Sequence, residues 1–427
     1  MSSSPKQLDI AIVGGGVTGL VCAVALAKRG VYAHVYESKP LFDEVGVGLG
    51  LGPNALRVLE EIGVLRDALT ASGETHPTMI PFLFLSGMDG HEVIYDYPRA
   101  PDDVSAGLPR YSFVKALAAH IDPTYAHFSK KCIVISTSNT NPPRSVLHFS
   151  DGTSAEADVV LVANGVKSSV RGAVTGTQST DNLAFGNTIC YRAVVSPDQA
   201  RASGVKTDLS ERPVCFMGED KHFIIFPIKG GELINIVAFA ADRTIKIGDV
   251  NLPPERPTVV PASVKEMLEV YDGWGNDVVR LLGCMIKANK WYVNVVYPPL
   301  KTYVKGRVAL MGDAAHGMLP HLGAGAGQGI EDAYLIAQLL SLPEANGSNV
   351  ETLLRVYDEV RRPRALSVWE GSVRQGDNYD WRGKSGPSRE GVRKDLAGSF
   401  DFVWNYPVHE DFKKAASRLQ ELGVLQK

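Results

Sequence analysis

The hydrophobic pattern changes period several times along the chain, and each change marks an element. Leu8 to Val13 is a short apolar run of strand type. In Val17 to Arg29 the residues Leu20, Val21, Val24, Ala25 and Ala27 recur at the spacing of one helix face, and Gly30 stands as the stop. Val31 to Tyr36 returns to strand character. Strand, helix and strand in that order predict a parallel βαβ unit inside a sheet covered by helices. Asn54 to Leu65 reads as a further amphipathic helix, and Asp158 to Ala163 as a strand buried on both faces that rejoins the first sheet.

From about Leu183 the period drops to two. Asn187 to Val195, Val214 to Met217, His222 to Ile228 and Glu232 to Phe239 read as antiparallel strands, the last two joined by the hairpin signal Lys229-Gly230-Gly231. Gly306 to Met311 then reverts to a buried strand and Gly329 to Leu342 to a helix, so the chain revisits its first layer before a polar tail with helical ends. The predicted class is α/β. A cofactor domain spans residues 1–182 and 301–365, an antiparallel β-sheet substrate domain spans 183–300, and a helical C-terminal tail spans 366–427. Two interleaved domains imply one cleft.

Ile10 to Ala27 carries no charge, which raises the question of a membrane span or leader. Four glycines interrupt it, no cleavage pattern ends it, and Lys28 and Arg29 follow directly, so it reads as strand, turn and helix. The 427 residues are 44% hydrophobic and 21% charged, a globular composition long enough for two cores. Lys plus Arg number 44 against 47 Asp plus Glu, with no basic block to track a phosphate backbone or an anionic bilayer; neither nucleic acid nor membrane is an expected partner. Cys22, Cys132, Cys190, Cys215 and Cys284 are odd in number and widely spaced, without a CxxC pair. That disfavours a disulfide framework and a zinc site and suits a reducing, cytoplasmic compartment. A monomer or homodimer is expected.

Gly14-Gly15-Gly16-Val17-Thr18-Gly19 matches GxGxxG and stands directly after a strand and at the start of a helix. Gly14 permits the tight turn, Gly16 lets backbone N–H groups approach a pyrophosphate, and Gly19 lets helix and strand pack closely. Glu37 closes the second strand eighteen residues after Gly19, where a carboxylate accepts ribose hydroxyls and repels a 2′-phosphate. A Rossmann-like nucleotide site follows.

A second glycine-rich segment runs Gly306-Arg307-Val308-Ala309-Leu310-Met311-Gly312-Asp313-Ala314-Ala315-His316 and continues, after Pro320, through Gly323-Ala324-Gly325-Ala326-Gly327-Gln328-Gly329. Together with the first motif it resembles the group A flavoprotein aromatic hydroxylases of the para-hydroxybenzoate hydroxylase fold, most closely their salicylate-hydroxylase-like fungal branch. The resemblance extends to Gly46-Val47-Gly48 with Pro53-Asn54-Ala55, to Pro109-Arg110, to Ala163 through Arg171, to Arg361-Arg362-Pro363-Arg364 and to Trp404-Asn405-Tyr406. It implies FAD as cofactor, with Asp313 on the ribityl chain, Arg110 on the phosphates or ribityl chain, and Gly325 and Ala326 bringing backbone to the isoalloxazine. A helix starting near Gln328 would turn its positive end toward that ring. The family usually carries Asp-Gly where this chain has Asn164-Gly165. That aspartate serves FAD and the nicotinamide donor, and an amide adds donors and removes a charge, so the handling of NADH or NADPH is the point of departure.

No second nucleotide fingerprint is present, which in this family means that the nicotinamide cofactor visits transiently. In His222-Phe223-Ile224-Ile225-Phe226-Pro227 the period of two puts His222, Ile224 and Phe226 on one face. Relatives often have His-x-x-x-Tyr-Pro here, the histidine deprotonating a phenol; this chain keeps His222 and replaces the tyrosine by Phe226. Arg192 matches an arginine that related dearomatising enzymes use to hold a phenolate, and its fixed forked charge suits that role. His316 and His321 fall in the flavin segment and show no metal-ligand spacing. The resemblance thus implies a monooxygenase that uses NAD(P)H and O2 to hydroxylate a small phenolic substrate through a C4a-hydroperoxyflavin. Two alternatives stand beside it: dearomatisation of a resorcinol-type phenol to a quinol by the same chemistry, and a flavin-binding protein without hydroxylase activity, which Asn164 and Phe226 favour.

Overall fold

The structure, a computed structural model, describes residues 8–42, 48–99, 104–250 and 257–426; Gly46 and Val47 of the family-like motif lie outside these. Strand Ile10–Val13 is buried throughout and sits at the centre of a six-stranded sheet. Ile10 pairs with Val159 on one side and with Ala33 on the other, both in parallel. Such a strand is apolar at every position because helices cover both faces. The return strand Val308–Leu310 pairs with Val160 to Val162, so the late segment does rejoin the first layer.

Helix Val17–Ala27 begins at the glycine-rich turn and packs on helix Gly325–Leu340. The two approach so closely that a Cβ on Gly329 would fall 2.1 Å from Thr18 Oγ1. This second helix starts before the expected Gln328 because Gly325, Ala326 and Gly327 carry no apolar period from which it could be read. The helix expected from Asn54 to Leu65 is two, Pro53–Glu61 and Leu65–Ala71, separated at Gly63 with φ +73°.

The other large layer is an eight-stranded, mostly antiparallel sheet. Strand Leu183–Val195 starts earlier than its alternation suggests, because the register shifts between Phe185 and Ile189 around Asn187, whose φ is +51°. Strands Lys221–Ile228 and Leu233–Ala241 pair in register across the expected hairpin. Two further strands, Leu83–Ser86 and Val93–Asp96, come from far upstream and join through a parallel pairing with Val214–Gly218. Each has four residues, too few for a period of two to stand out.

Helix Val350–Tyr379 spans 30 residues and runs past the end of the second cofactor segment. Its side chains Val368, Trp369 and Tyr379 are buried in one cluster with Phe84 and Phe239 of the eight-stranded sheet. Among the described residues no helix is long and apolar enough to cross a membrane, no cluster of His, Cys, Asp and Glu is placed to hold a metal ion, and all five cysteines are unpaired.

Candidate functional site

A cavity of about 760 Å³ runs between the two large sheets. At one end it is lined by Gly14, Gly16, Glu37, Asn164 and Asp313, at the other by Arg192, Ile224, Phe226, Phe239 and His321; Arg110, Gly325 and Ala326 also line it. Every cofactor residue expected from sequence, except Gly19, therefore faces one hollow.

At the nucleotide end the turn is forced by contact. Gly14 has φ +109°, and a Cβ there would lie 2.6 Å from the Ala163 carbonyl oxygen. Gly19 stands behind the turn, where a Cβ would come within 2.0 Å of the Gly14 oxygen, which is the packing role expected of it. Glu37 accepts hydrogen bonds from the backbone N–H of Gly15 at 2.7 Å and of Lys39 at 2.8 Å. The backbone thus fixes the carboxylate at the cavity wall; Ser38 Oγ also donates to Oε1 at 3.0 Å, and Oε2, which holds only Gly15, keeps an acceptor position for a ribose hydroxyl.

Asp313 opens the short helix Asp313–His316 and is exposed to the cavity. Arg171, fully buried, donates from Nε to the Ala314 carbonyl at 2.9 Å and from Nη1 to the Ser179 carbonyl at 3.1 Å, which holds this turn in place. Burial pushes the Arg110 pKa down, Asp313 pulls it back up and Arg192 lowers it again, so one carboxylate and two guanidiniums share a field. Helix Gly325–Leu340 starts at the cavity without a side-chain cap, leaving its first N–H groups for a ligand. Asn164 donates to Ser169 Oγ at 3.4 Å, while its Oδ1 is buried with no partner. A glycine cradle, a pinned ribose acceptor, a cavity-facing aspartate and an orphaned amide oxygen fit FAD.

The substrate end sets Arg192 among apolar side chains. Arg192 lies on strand Leu183–Val195, its guanidinium carbon 5.5 Å from the Trp291 ring centroid and its Nε buried without a hydrogen-bond partner. Burial lowers its pKa. A buried guanidinium with an unmet donor is costly unless an anion completes it. Phe226 and Ile224 share one face of their strand and line the cavity, as the alternation requires.

His222 needs correction as a wall residue. It lies on that same face but is only 1% exposed and does not line the cavity. Its ring stacks on Phe239 at 4.6 Å, Nδ1 is 2.7 Å from Asp380 Oδ1, and Nε2 is 3.2 Å from Nδ1 of His321. His321, carried by the turn Pro320–Leu322, takes the place at the wall. Sequence reasoning assigned His321 to the flavin segment, gave Arg171 no role beyond closing a family-like segment, and missed Asp380 and Trp291. The Pro-His-Leu turn eight residues after Asp313 was the one local signal; Asp380 has none, being 158 residues from its partner.

The family described as FAD binding domain matches residues 7–203 and 277–372 of the chain. A salicylate hydroxylase of Pseudomonas putida is 35% identical over 432 residues, covering 98% of this chain and 97% of its own. The 6-methylsalicylate 1-monooxygenase atA of Aspergillus terreus is 31% identical over 373 residues, 85% of this chain and 81% of its own. A solved structure of a salicylate hydroxylase substrate complex superposes with a TM-score of 0.85 at 32% identity, covering 97% of this chain and 98% of that one.

Proposed function

The chain belongs to the FAD binding domain family as an FAD-dependent monooxygenase of the salicylate hydroxylase type, and from that premise we propose that it hydroxylates a small anionic phenol with O2 and NADH or NADPH. The observation that carries this reading is the continuity of one cavity from Gly14 and Asp313 to Arg192, Phe226 and His321. FAD held along Gly14, Gly16, Glu37, Arg110, Asn164, Asp313, Gly325 and Ala326 supplies the activation of dioxygen. The chain's own task is to orient the ring, remove a proton from the phenol and keep water away. Arg192 offers its unmet forked donors to a carboxylate or phenolate. Ile224, Phe226 and Phe239 give a dry wall against which an aromatic ring can lie. His321 stands at that wall with an imidazole that can hydrogen-bond the phenol hydroxyl, and a phenolate directs electron density to the ring carbon that receives oxygen. Salicylates, resorcylic acids and their aldehydes suit this donor set.

Purified holoenzyme, given NADH or NADPH and a panel of these phenols under ¹⁸O₂, is expected to oxidise the nicotinamide faster with phenol present and to place one ¹⁸O in the product. Loss of CO2 with formation of a catechol identifies a salicylate, and a quinol identifies attack at an alkylated carbon. Nicotinamide oxidation that no phenol accelerates, with no labelled product, refutes the reading.

Two substitutions follow from the geometry. Arg192→Ala removes a charge-assisted hydrogen bond of about 1.5–3 kcal/mol, so phenol binding should weaken roughly ten- to a hundredfold while flavin stays bound. Phe226→Tyr adds a competing donor on the same wall and should shift the site of oxygen transfer. Unchanged phenol affinity in the first and an unchanged product distribution in the second place the substrate elsewhere. Asn164→Asp restores the acid usual in relatives at the orphaned Oδ1. It should change the rate of flavin reduction by NAD(P)H more than the oxygen reaction of prereduced enzyme, which stopped-flow absorbance separates; equal changes in both half-reactions count against a role in reduction.

A further inference from the structure

Met318 lies between the helix Asp313–His316 and the turn Pro320–Leu322 and lines the cavity at 9% exposure. Its place is fixed by its neighbours. The Gly317 carbonyl just before it accepts the Val296 N–H at 2.8 Å and the Trp369 Nε1–H at 3.2 Å. A Cβ built on Gly325 would lie 3.9 Å from Met318 Cγ and 3.8 Å from Asp313 Oδ1, so the methionine and the aspartate flank one glycine. Gly325 and Asp313 are two of the residues along which the reading above holds FAD. The packing around the thioether is apolar, in one buried cluster with Ile224, Val237, Phe239 and Leu322. Its sulfur accepts a hydrogen bond from Ser372 Oγ at 3.7 Å, and Ser372 is fully buried. A thioether sulfur has two lone pairs; the hydroxyl engages one from the buried side, which leaves the other for the cavity side.

Resting on the reading that dioxygen is activated in this cavity, we propose that Met318 is a self-oxidation site, converted to the sulfoxide by peroxide when no phenol is present to accept the oxygen. The oxidant is hydrogen peroxide, formed when dioxygen takes up two protons and the two electrons that NAD(P)H supplies. The cavity-side lone pair of Sδ attacks one peroxide oxygen, the O–O bond breaks, the S–O bond forms, and the other oxygen leaves as water with both hydrogens. Sulfur loses two electrons and peroxide gains them, so no further reactant is needed. Position rather than exposure selects this residue. Met79 also lines the cavity, Met88 is 41% exposed at the surface, and Met217, Met267, Met285 and Met311 are fully buried. Among the described methionines Met318 alone stands beside Gly325 and Asp313. The product changes the wall. A sulfoxide puts a polar acceptor among Ile224, Val237 and Phe239, so phenol affinity should fall roughly tenfold until the sulfoxide is reduced. An enzyme deprived of phenol thereby withdraws from a reaction that would release only peroxide.

The test reads the protein, not turnover. Holoenzyme without phenol is reduced anaerobically by one equivalent of dithionite and mixed with ¹⁸O₂ in the presence of catalase; the cycle is repeated and methionine peptides are mapped by mass spectrometry. Catalase destroys peroxide that escapes, so the label records oxygen transferred before release. One ¹⁸O should accumulate on Met318 over the cycles while Met88 stays unlabelled. Because the sulfur is open from one side, one sulfoxide epimer should form, and one of the two epimer-specific reductases should remove it after unfolding. Cycled wild type should bind a salicylate roughly tenfold more weakly than before, whereas cycled Met318→Leu should bind it as its own uncycled sample does. Unlabelled Met318 in flavin-loaded enzyme, equal label on Met88 and Met318, or an equal mixture of epimers overturns the proposal. The two readings fail separately. Labelled Met318 with no labelled product from any phenol refutes the phenol reading and leaves the modification standing, and labelled phenol product with unlabelled Met318 refutes the modification alone.

Discussion

Arg361→Met should lower the stability of the protein by about 3–5 kcal/mol, the usual effect of stripping one partner from a buried ion cluster. Arg361 is fully buried and donates from Nη1 to Glu331 at 2.8 Å and to Asp411 at 3.0 Å, and from Nε to Asp332 at 2.8 Å. Three carboxylates at 0–1% exposure therefore share it. Methionine fills the volume but leaves them with Arg364 on Glu331 and His316 on Asp332 as the nearest compensation. Arg361→Lys should recover only part of the loss, because one ammonium cannot reproduce the fork. The free energy of urea unfolding of apoprotein measures both; a value within about 0.5 kcal/mol of wild type means that the cluster adds nothing net. The pH dependence has a definite sign. Burial opposes ionisation of Asp332, but His316 and Arg361 outweigh it and hold the pKa at about 2. A depressed carboxylate contributes stability above its unfolded value near 4 and loses it as pH falls toward 2, so the wild-type advantage over Arg361→Met should shrink across that window.

This cluster also reaches the cofactor site. Asp332 Oδ2 accepts the Gly312 N–H at 2.9 Å and sits 2.6 Å from His316 Nε2, so Arg361 fixes the group that fixes both ends of the turn bearing Asp313. None of this was legible locally. The Arg-Arg-Pro-Arg run drew notice only by resemblance, since its partners come from two other helices, Gly325–Leu340 and His409–Glu421. What could be read were features whose cause is local. The glycine turn depends on neighbouring backbone, and the alternation through Ile224 and Phe226 depends on one strand. Which histidine stands at the cavity was not of that kind. His222 and His321 both qualify by type, and only the packing of the Pro320–Leu322 turn against the sheet puts the second in front of the first. The bulge at Asn187 likewise hid the start of a strand that is continuous in space.

Asp313→Ala should purify with little or no flavin. The aspartate projects into the cavity at the end of the return strand, where the proposed reading puts the ribityl chain, and Arg171 holds its turn through the Ala314 carbonyl. Each hydrogen bond from a ribityl hydroxyl to a carboxylate is worth about 1.5–3 kcal/mol, so losing two weakens FAD by roughly 10² to 10⁴. The change also removes the negative charge that Arg110 and Arg171 feel, leaving their positive field in the cavity unbalanced. Asp313→Asn separates the two contributions. It keeps an acceptor for the hydroxyls without the charge, so it should hold flavin at an intermediate level. The ratio of visible to ultraviolet absorbance after purification reads occupancy, and calorimetric titration of apoprotein with FAD gives the affinity. Both variants should still unfold cooperatively as apoprotein, at a midpoint lowered only by the lost attraction of Asp313 for Arg110 and Arg171. Full occupancy in Asp313→Ala would mean that the ribityl chain runs along another part of the cavity, and the orientation of the flavin relative to Arg192 and His321 would have to be redrawn.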